Sequence, residues 1–446
     1  MNETIAAQAT PFGPGAIALI RLTGEDSHAI AGKALRTDCE RQEARTVKRA
    51  ALRSSEGDVI DEVLVTVFRR PHSYTGENLV EISCHGGVLV VQRALDRLLE
   101  CGARSAMAGE FTQRAFLNGK IDLTQAEAVM DVIGAQTDLA LRAAQQQLGG
   151  KIGMETEDIR GSLLQIVAHL EAYIDFPDED ITPQTGEALV GQLEAVQSRI
   201  ELMLATAEQG RILREGARVV IYGEPNVGKS SLLNILLGQE RAIVSDIAGT
   251  TRDTVEEVVS LGGFPVRLID TAGHRKAVDE LERVGVERTL DKVAQADLVL
   301  EVVDSSAPRG QSLLRSRDKN SRSLLVLNKC DLPRHSDWNE HSEGAEISCA
   351  DGSGLDGLIA AIAGVFAQGD GTWGQEAVAV NARHQSCLRR ARGALGEALR
   401  QLKGGVGPEF VALDLRLALD AVGEVAGRVE TEELLGEIFG QFCIGK

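Results

Sequence analysis

Gly223-Glu224-Pro225-Asn226-Val227-Gly228-Lys229-Ser230 fits the spacing G-x-x-x-x-G-K-[ST], with Ser231 next and the apolar run Val219-Val220-Ile221-Tyr222 just before it. A strand, a glycine-rich turn and a helix start in that order predict a phosphate cradle. The glycines let the main chain wrap a phosphate, and the helix N-terminus adds free N–H groups and a favourable dipole. In such a loop Lys229 reaches the β- and γ-phosphates and the Ser230 hydroxyl ligates Mg²⁺.

Downstream motifs narrow the ligand. The run Val266-Arg267-Leu268-Ile269 ends in Asp270-Thr271-Ala272-Gly273, placing a carboxylate near the Mg²⁺ shell and a glycine N–H near the γ-phosphate. Leu324-Leu325-Val326-Leu327 ends in Asn328-Lys329-Cys330-Asp331. The Asp331 carboxylate can accept from both N1–H and the 2-amino group of guanine, a donor pair that adenine lacks. Ser348-Cys349-Ala350 then brings main-chain N–H groups to the guanine O6. Between the first two motifs, Ser245-Asp246-Ile247-Ala248-Gly249-Thr250-Thr251-Arg252-Asp253 reads as a switch segment, with Thr251 the second protein ligand for Mg²⁺. His274 stands where Ras-like proteins carry a water-orienting Gln and reads as a surface residue. Together these predict a GTP-hydrolysing G domain over 213–378. Its near-continuous apolar runs, Leu298-Val299-Leu300 included, suit a mainly parallel sheet covered on both faces.

Around this unit the 446 residues suggest about three domains at roughly 150 residues each. The composition, 25% charged, 43% hydrophobic and 3% aromatic, is that of folded globular protein and excludes collagen-like or wholly disordered chains. Seven dispersed cysteines without a C-x-x-C pair predict reduced thiols. Met1-Asn2-Glu3-Thr4 lacks the basic and apolar regions of a signal peptide, and no apolar run reaches membrane-span length, so a cytoplasmic protein without membrane attachment is expected. A net charge of −19 means that any polyanionic partner needs a local basic surface.

Residues 1–119 mix the short runs Ile17–Leu22 and Val63–Phe68 with the helical spacing of Val88–Glu100, which predicts an α+β domain. From 120 to 212 the pattern is helical. Thr124-Gln125-Ala126-Glu127 reads as a capping box, Leu163, Val167 and Leu170 share a face, Phe176–Asp180 reads as an acidic connector, and a further helix runs to about Glu208. Residues 379–446 are helical again and are too few for a core of their own. The segments 120–212 and 379–446 are therefore expected to form one helical domain with the G domain inserted between them.

The whole chain resembles the MnmE (TrmE) family of tRNA-modifying GTPases. The resemblance lies in Ile5–Pro11, Ser73-Tyr74-Thr75-Gly76-Glu77, His85-Gly86-Gly87, Gly109–Lys120, the switch segment, and the terminal Cys443-Ile444-Gly445-Lys446. Cys349, where the guanine motif usually has Ala, and His274, where the family more often has an aliphatic residue, depart from it. The resemblance implies an N-terminal domain that dimerises and binds a tetrahydrofolate derivative (5,10-methylene- or 5-formyl-). It also implies a flavoprotein partner, MnmG, carrying FAD and using NADH. The joint reaction would place an aminomethyl or carboxymethylaminomethyl group on C5 of the wobble uridine of tRNA.

For the folate, Glu81 is expected to pair with the pterin 2-amino and N3–H groups, and Arg21, Lys120 and Lys446 to bind its anionic tail or carbonyls. Read without the family, Arg21, Glu81 and Lys120 are structural ion-pair residues, and Cys443, after Phe439 and Phe442, is packing; the resemblance implies instead that Cys443 lies near the folate pocket and serves the modification chemistry. For hydrolysis the resemblance implies K⁺ on the Asn226 side chain and the main chain of Ser245, Ile247 and Thr250, in the place of an arginine finger, with Glu282 orienting the water. Read alone, Glu282 is an exposed helix residue. Arg383 to Lys403 carries six Lys or Arg against Glu397, usually a solvated helix face but also the best candidate for a tRNA backbone contact. The alternative from another class is a GTP-switched ribosome or RNP assembly factor, which would have no use for the folate motifs or the terminal Cys443–Lys446.

Overall fold

The computed structural model describes residues 3–175, 186–238, 258–270, 293–309, 322–339, 344–367, 380–428 and 432–446. The chain divides into two compact units, one of Met1–Met130, Gly153–Gly161 and Leu419–Lys446, the other of Asp131–Ile152 and Ser162–Ala418.

The first unit is built on a six-stranded sheet of β1 (Ile5–Gln8), β2 (Ile17–Thr23), β3 (Val47–Arg53), β4 (Val59–Phe68), β5 (Leu79–His85) and β6 (Arg104–Ser105), in the order β3-β4-β5-β2-β1-β6. All neighbours are antiparallel except β1 and β6. Strand alternation sends Val63, Val65 and Val67 inward while Leu64 stays half exposed. That inner face packs with α1 (Ser27–Leu35) and α2 (Val88–Glu100), where Ala31, Val91, Ala94 and Leu98 are buried. After α3 (Glu110–Leu117) comes α4 (Leu123–Gly134).

The cap of α4 corrects the sequence reading. Asp122, not Thr124, accepts the Gln125 N–H at 2.8 Å, and the Asp122 N–H donates to Gln125 Oε1 at 3.0 Å. The box is thus Asp122-x-x-Gln125, and Thr124 lies inside the first turn, its hydroxyl also donating to Asp122. Helix α13 (Glu432–Gly440) and the tail after it close this unit: Leu435, Phe439 and Phe442 pack with Leu123 and Ala126, and Ala108 bridges to Ile444.

The second unit carries the other six-stranded sheet: β7 (Ala217–Tyr222), β8 (Val258–Leu261), β9 (Phe264–Asp270), β10 (Leu298–Asp304), β11 (Ser323–Asn328) and β12 (Ala345–Glu346). Its order is β12-β11-β10-β7-β9-β8, parallel throughout except for the β8–β9 hairpin. Every expected strand is present. They read as apolar runs because both faces are covered: Val219, Val220, Ile221, Val299 and Leu300 are fully buried. Helices α9 (Lys229–Gly238) and α10 (Leu355–Ala367) bury Leu232, Leu236, Leu358, Ile362 and Phe366 in the same core.

The remaining helices are α5 (Asp138–Leu148), α6 (Lys151–Asp175), α7 (Gly186–Ala205), α8 (Ala207–Glu215), α11 (Ala382–Lys403) and α12 (Pro408–Val425). Leu163, Val167 and Leu170 share the buried face of α6 as expected, and α7 lies against α11. The helix expected to run to about Glu208 ends at Ala205, and after the turn at Thr206 a separate helix, α8, which the sequence reading did not expect, runs to Glu215 with Ile212 and Leu213 buried in the core beneath the sheet. The expected connector Phe176–Asp180 lies outside the described residues. Among the described residues no helix is long and apolar enough to cross a membrane.

Candidate functional site

The C-terminal ends of β7, β9, β10 and β11 and the turn after β12 meet at one edge of the parallel sheet, where α/β proteins place their ligands. Register puts Asp270 beside Ile221, and Asp304 beside Asn328. The loop 223–228 leaves β7 and turns into α9, which starts at Lys229. Asn226 takes φ +65 and Gly228 φ +100. A Cβ on Gly223 would stand 2.2 Å from the Val302 carbonyl oxygen, and one on Gly228 would stand 2.1 Å from Asn328 Nδ2. Only glycine lets the main chain come this close, and the result is a bare N–H cradle with the exposed Ser230 and Ser231 on the first turn of α9. Lys229 Nζ donates to the carbonyls of Gly223 at 2.9 Å and Glu224 at 2.7 Å, so its ammonium already lies over the loop.

Asn328 ties three motifs together. Its Nδ2 donates to the Val227 carbonyl at 2.8 Å, and its Oδ1 accepts the Cys349 N–H at 3.1 Å. Lys329, at φ +64, pairs with Asp304 at 2.5 Å. Burial would raise the Asp304 pKa, but the Lys329 and Ser306 hydrogen bonds outweigh it and hold the carboxyl below the ordinary range. The sequence reading missed Asp304, although an apolar strand ending in Asp was the same signal that marked Asp270. Asp331 is exposed in the following turn. Ser348 is buried, its hydroxyl accepting the Ala350 N–H at 3.2 Å, and the Cys349 thiol is pushed up by burial. The residues Asn226 to Ser231, Asn328, Lys329, Asp331 and Ser348 to Ala350 are therefore brought to one edge. Ser245, Asp246, Ile247, Ala248, Gly249, Thr250, Thr251, Thr271, Ala272, Gly273, His274 and Glu282 lie outside the described residues, as does the side chain of Asp270.

In the first unit, β2 and β5 put Arg21 directly opposite Glu81. Arg21 Nε and Nη2 both donate to Glu81 Oε1, at 3.0 and 2.8 Å, with both side chains largely buried. The guanidinium lies 5.5 Å from the centre of the Tyr74 ring and 5.9 Å from that of Phe111. Burial raises the Tyr74 pKa, and its hydroxyl bonds to Thr112 at 2.9 Å. A carboxylate offers about four lone-pair sites, so Arg21 leaves Glu81 with capacity to accept more. The C-terminal tail closes on the same neighbourhood. Lys446 accepts the Phe111 N–H on its carbonyl at 3.0 Å, and a Cβ on Gly445 (φ +95) would stand 2.2 Å from the Gln8 carbonyl oxygen. Lys120 is directed elsewhere, its Nζ donating to the Pro71 carbonyl at 3.1 Å.

Cys443 is exposed, so the packing reading of it fails; Phe439 and Phe442 do the packing and turn the thiol outward. Next to this cluster is a charged network whose roles the sequence reading missed. Buried Arg114 pairs with Glu110 at 3.0 Å and Glu77 at 3.1 Å, and Arg104 pairs with Glu110 at 2.7 Å. Its signal was the i,i+4 spacing of Glu110 and Arg114 on one helix.

Comparison with known proteins matches residues 4–120 to the family described as GTP-binding protein TrmE N-terminus and residues 123–443 to the MnmE helical domain. Proteins described as tRNA modification GTPase MnmE are similar along the whole chain. The one from Akkermansia muciniphila is 51% identical, covering 100% of this chain and 99% of the relative, and that from Opitutus terrae is 46% identical with the same coverage. That from Chloroflexus aurantiacus is also 46% identical, covering 100% of both.

Proposed function

The chain belongs to the MnmE family of tRNA modification GTPases, and we propose that it is the GTP-hydrolysing component of the enzyme that modifies C5 of the tRNA wobble uridine. It acts with the flavoprotein MnmG, which carries FAD and uses NADH. The added aminomethyl or carboxymethylaminomethyl group draws its carbon from a tetrahydrofolate derivative. The observation that carries this reading is the joining of the phosphate loop to both guanine loops through Asn328, in a chain that also carries the Arg21–Glu81 cluster.

In this reading the loop 223–228 and the head of α9 hold the β- and γ-phosphates, and Lys229 exchanges its carbonyl partners for phosphate oxygens. Asp331 reads the guanine edge, and main-chain N–H groups of Ser348, Cys349 and Ala350 face its O6. Ser230 and Thr251 would hold Mg²⁺, and the Asn226 side chain with the main chain of Ser245, Ile247 and Thr250 would hold K⁺; when bound, these cations would supply positive charge for phosphoryl transfer. Glu282 orients the attacking water. Glu81 takes the pterin, and Arg21, Lys446 and Lys120, the last after leaving the Pro71 carbonyl, take the folate tail or carbonyls. Both units serve a homodimer joined through residues 1–119, with 120–212 and 379–446 as the helical domain around a G domain of 213–378, in the cytoplasm. Nucleoside analysis of tRNA from cells lacking this chain tests the assignment: wobble uridines should lose the C5 substituent, and an unchanged nucleoside profile refutes it.

A further inference from the structure

Helix α11 carries Arg383, Arg389, Arg390, Arg392, Arg400 and Lys403 against the single acid Glu397, in a chain whose net charge is −19. Its inner face is accounted for by packing: His384, Cys387, Leu388, Ala391, Leu395, Ala398 and Leu399 are buried. The cations at its C-terminal end have local reasons. Arg400 pairs with Glu397, Lys403 pairs with Glu194 of α7 at 2.8 Å, and both complement the helix dipole in the last turn.

Arg389 and Arg392 have no such reason. Both are exposed, and among the described residues neither side chain makes an ion pair or a hydrogen bond. They stand three residues apart in mid-helix, a like-charge spacing that weakens a helix and that the dipole does not offset. In a protein with so large an acidic excess, acids at these positions would have been the unremarkable choice. Structure alone therefore works against the cluster.

The surface beside it fits a phosphate backbone. Arg389, Arg392, Gly396, Arg400 and Lys403 follow the i+3 and i+4 steps of one helical face. At 1.5 Å per residue, Arg389 and Arg400 are about 16 Å apart along the axis. Gly393 and Gly396, on that stretch, have nothing within 4 Å of where a Cβ would be, so a polyanion strand can approach the helix closely. The exposed side chains from 386 to 396 include no large apolar group. A membrane-lying helix needs an apolar face and a protein interface needs apolar or aromatic anchors, whereas phosphate contact needs only positioned cations.

We propose that the Arg389–Arg392 face of α11 is the surface on which the RNA backbone docks, without reading sequence. The proposal rests on the tRNA reading above and specifies where that substrate is gripped. Each phosphate contact contributes about 0.9 to the slope of log K against log salt on duplex nucleic acid. The test is fluorescence anisotropy of the full chain with an unmodified tRNA transcript from about 50 to about 200 mM salt, comparing wild type with Arg389→Ala/Arg392→Ala. GDP affinity and basal GTP hydrolysis serve as folding controls and should not change. The double variant should lose more than about tenfold in tRNA affinity at the low-salt end, with a slope shallower by about 1.8. Equal affinity and slope in a variant with normal GDP binding overturn the docking surface while leaving the tRNA reading in place. A wild-type chain that binds no tRNA even at the lowest salt overturns both. A variant that keeps tRNA binding but no longer retains an acidic protein partner assigns the face to protein and overturns the proposal.

Discussion

Replacing Asn328 by Ala should damage the nucleotide site more than the loss of one small side chain suggests. Asn328 is 1% exposed, and its amide bridges the phosphate loop to the Cys349 turn. Ala removes the donor to the Val227 carbonyl and the acceptor for the Cys349 N–H together. Each orphaned backbone group costs ~1–3 kcal/mol, so the pair costs ~2–4 kcal/mol after partial relaxation. Both groups hold loops that a bound nucleotide requires in place, so this cost falls largely on affinity. At ~1.4 kcal/mol per factor of ten, GDP should bind from ~30-fold to several hundred-fold more weakly. Gly228→Ala should mimic the effect, since its new Cβ would lie 2.1 Å from Asn328 Nδ2 at a backbone φ of +100. Titration of a fluorescent GDP analogue measures affinity, and urea unfolding shows any share taken by stability. A GDP affinity within ~3-fold of wild type and an unmoved urea midpoint would refute the bridge.

Three further outcomes are expected. GTP turnover should be more than ~10-fold faster in K⁺ than in Na⁺, a modest share of the ~10³–10⁵ that an arginine finger supplies, and Asn226→Ala should abolish the difference; Glu282→Ala should lose turnover yet keep GDP affinity, and equal steady-state rates in the two salts contradict the cation assignment. Calorimetry with 5-formyl-tetrahydrofolate should show one site per subunit, weakened by ~1–3 kcal/mol in Glu81→Ala and in Arg21→Ala; wild-type binding by both variants places the folate elsewhere. Burial alone would raise the Glu110 pKa, but hydrogen bonds from Arg104, Met107 N–H and Arg114 hold it at about 2, against an ordinary 4.5. A carboxyl depressed in the folded state adds stability that is complete above its unfolded pKa and lost as pH falls through the folded one. Circular dichroism should therefore show unfolding between about pH 4.5 and about 2, with a shallower acid limb in Glu110→Gln, and identical limbs would exclude Glu110 as its source.

Much of the second sheet was legible because burial on both faces leaves an unmistakable residue pattern. Val219–Tyr222 and Leu324–Leu327 are apolar almost without interruption, and the loops that follow them are the ones proposed to hold the nucleotide. In the first unit the signal is weaker. Strand β3 begins with the exposed Val47, Lys48 and Arg49, and β1 pairs along only four residues, so neither stands out from loop sequence. The α4 cap was placed two residues late because Thr124 and Asp122 both precede an amide or acid by three positions. Local pattern cannot rank two such candidates; the hydrogen bonds can.

What no local pattern reveals is pairing over distance. Arg21 and Glu81 are 60 residues apart and Asp304 and Lys329 are 25 apart, and only strand register brings each pair together. The same distinction explains why Cys349 is tolerated in place of the more usual Ala. Its main-chain N–H donates to Asn328, and that bond is indifferent to the side chain. The thiol is half-buried and burial pushes its pKa up, which disfavours the reactive thiolate. Gly354 enforces the same economy from the other side, because a Cβ there would lie 1.9 Å from the Glu346 carbonyl oxygen, where β12 feeds into the Ser348 turn. At the Cys349 position this edge is thus held by backbone and by Asn328, so the side chain there can vary.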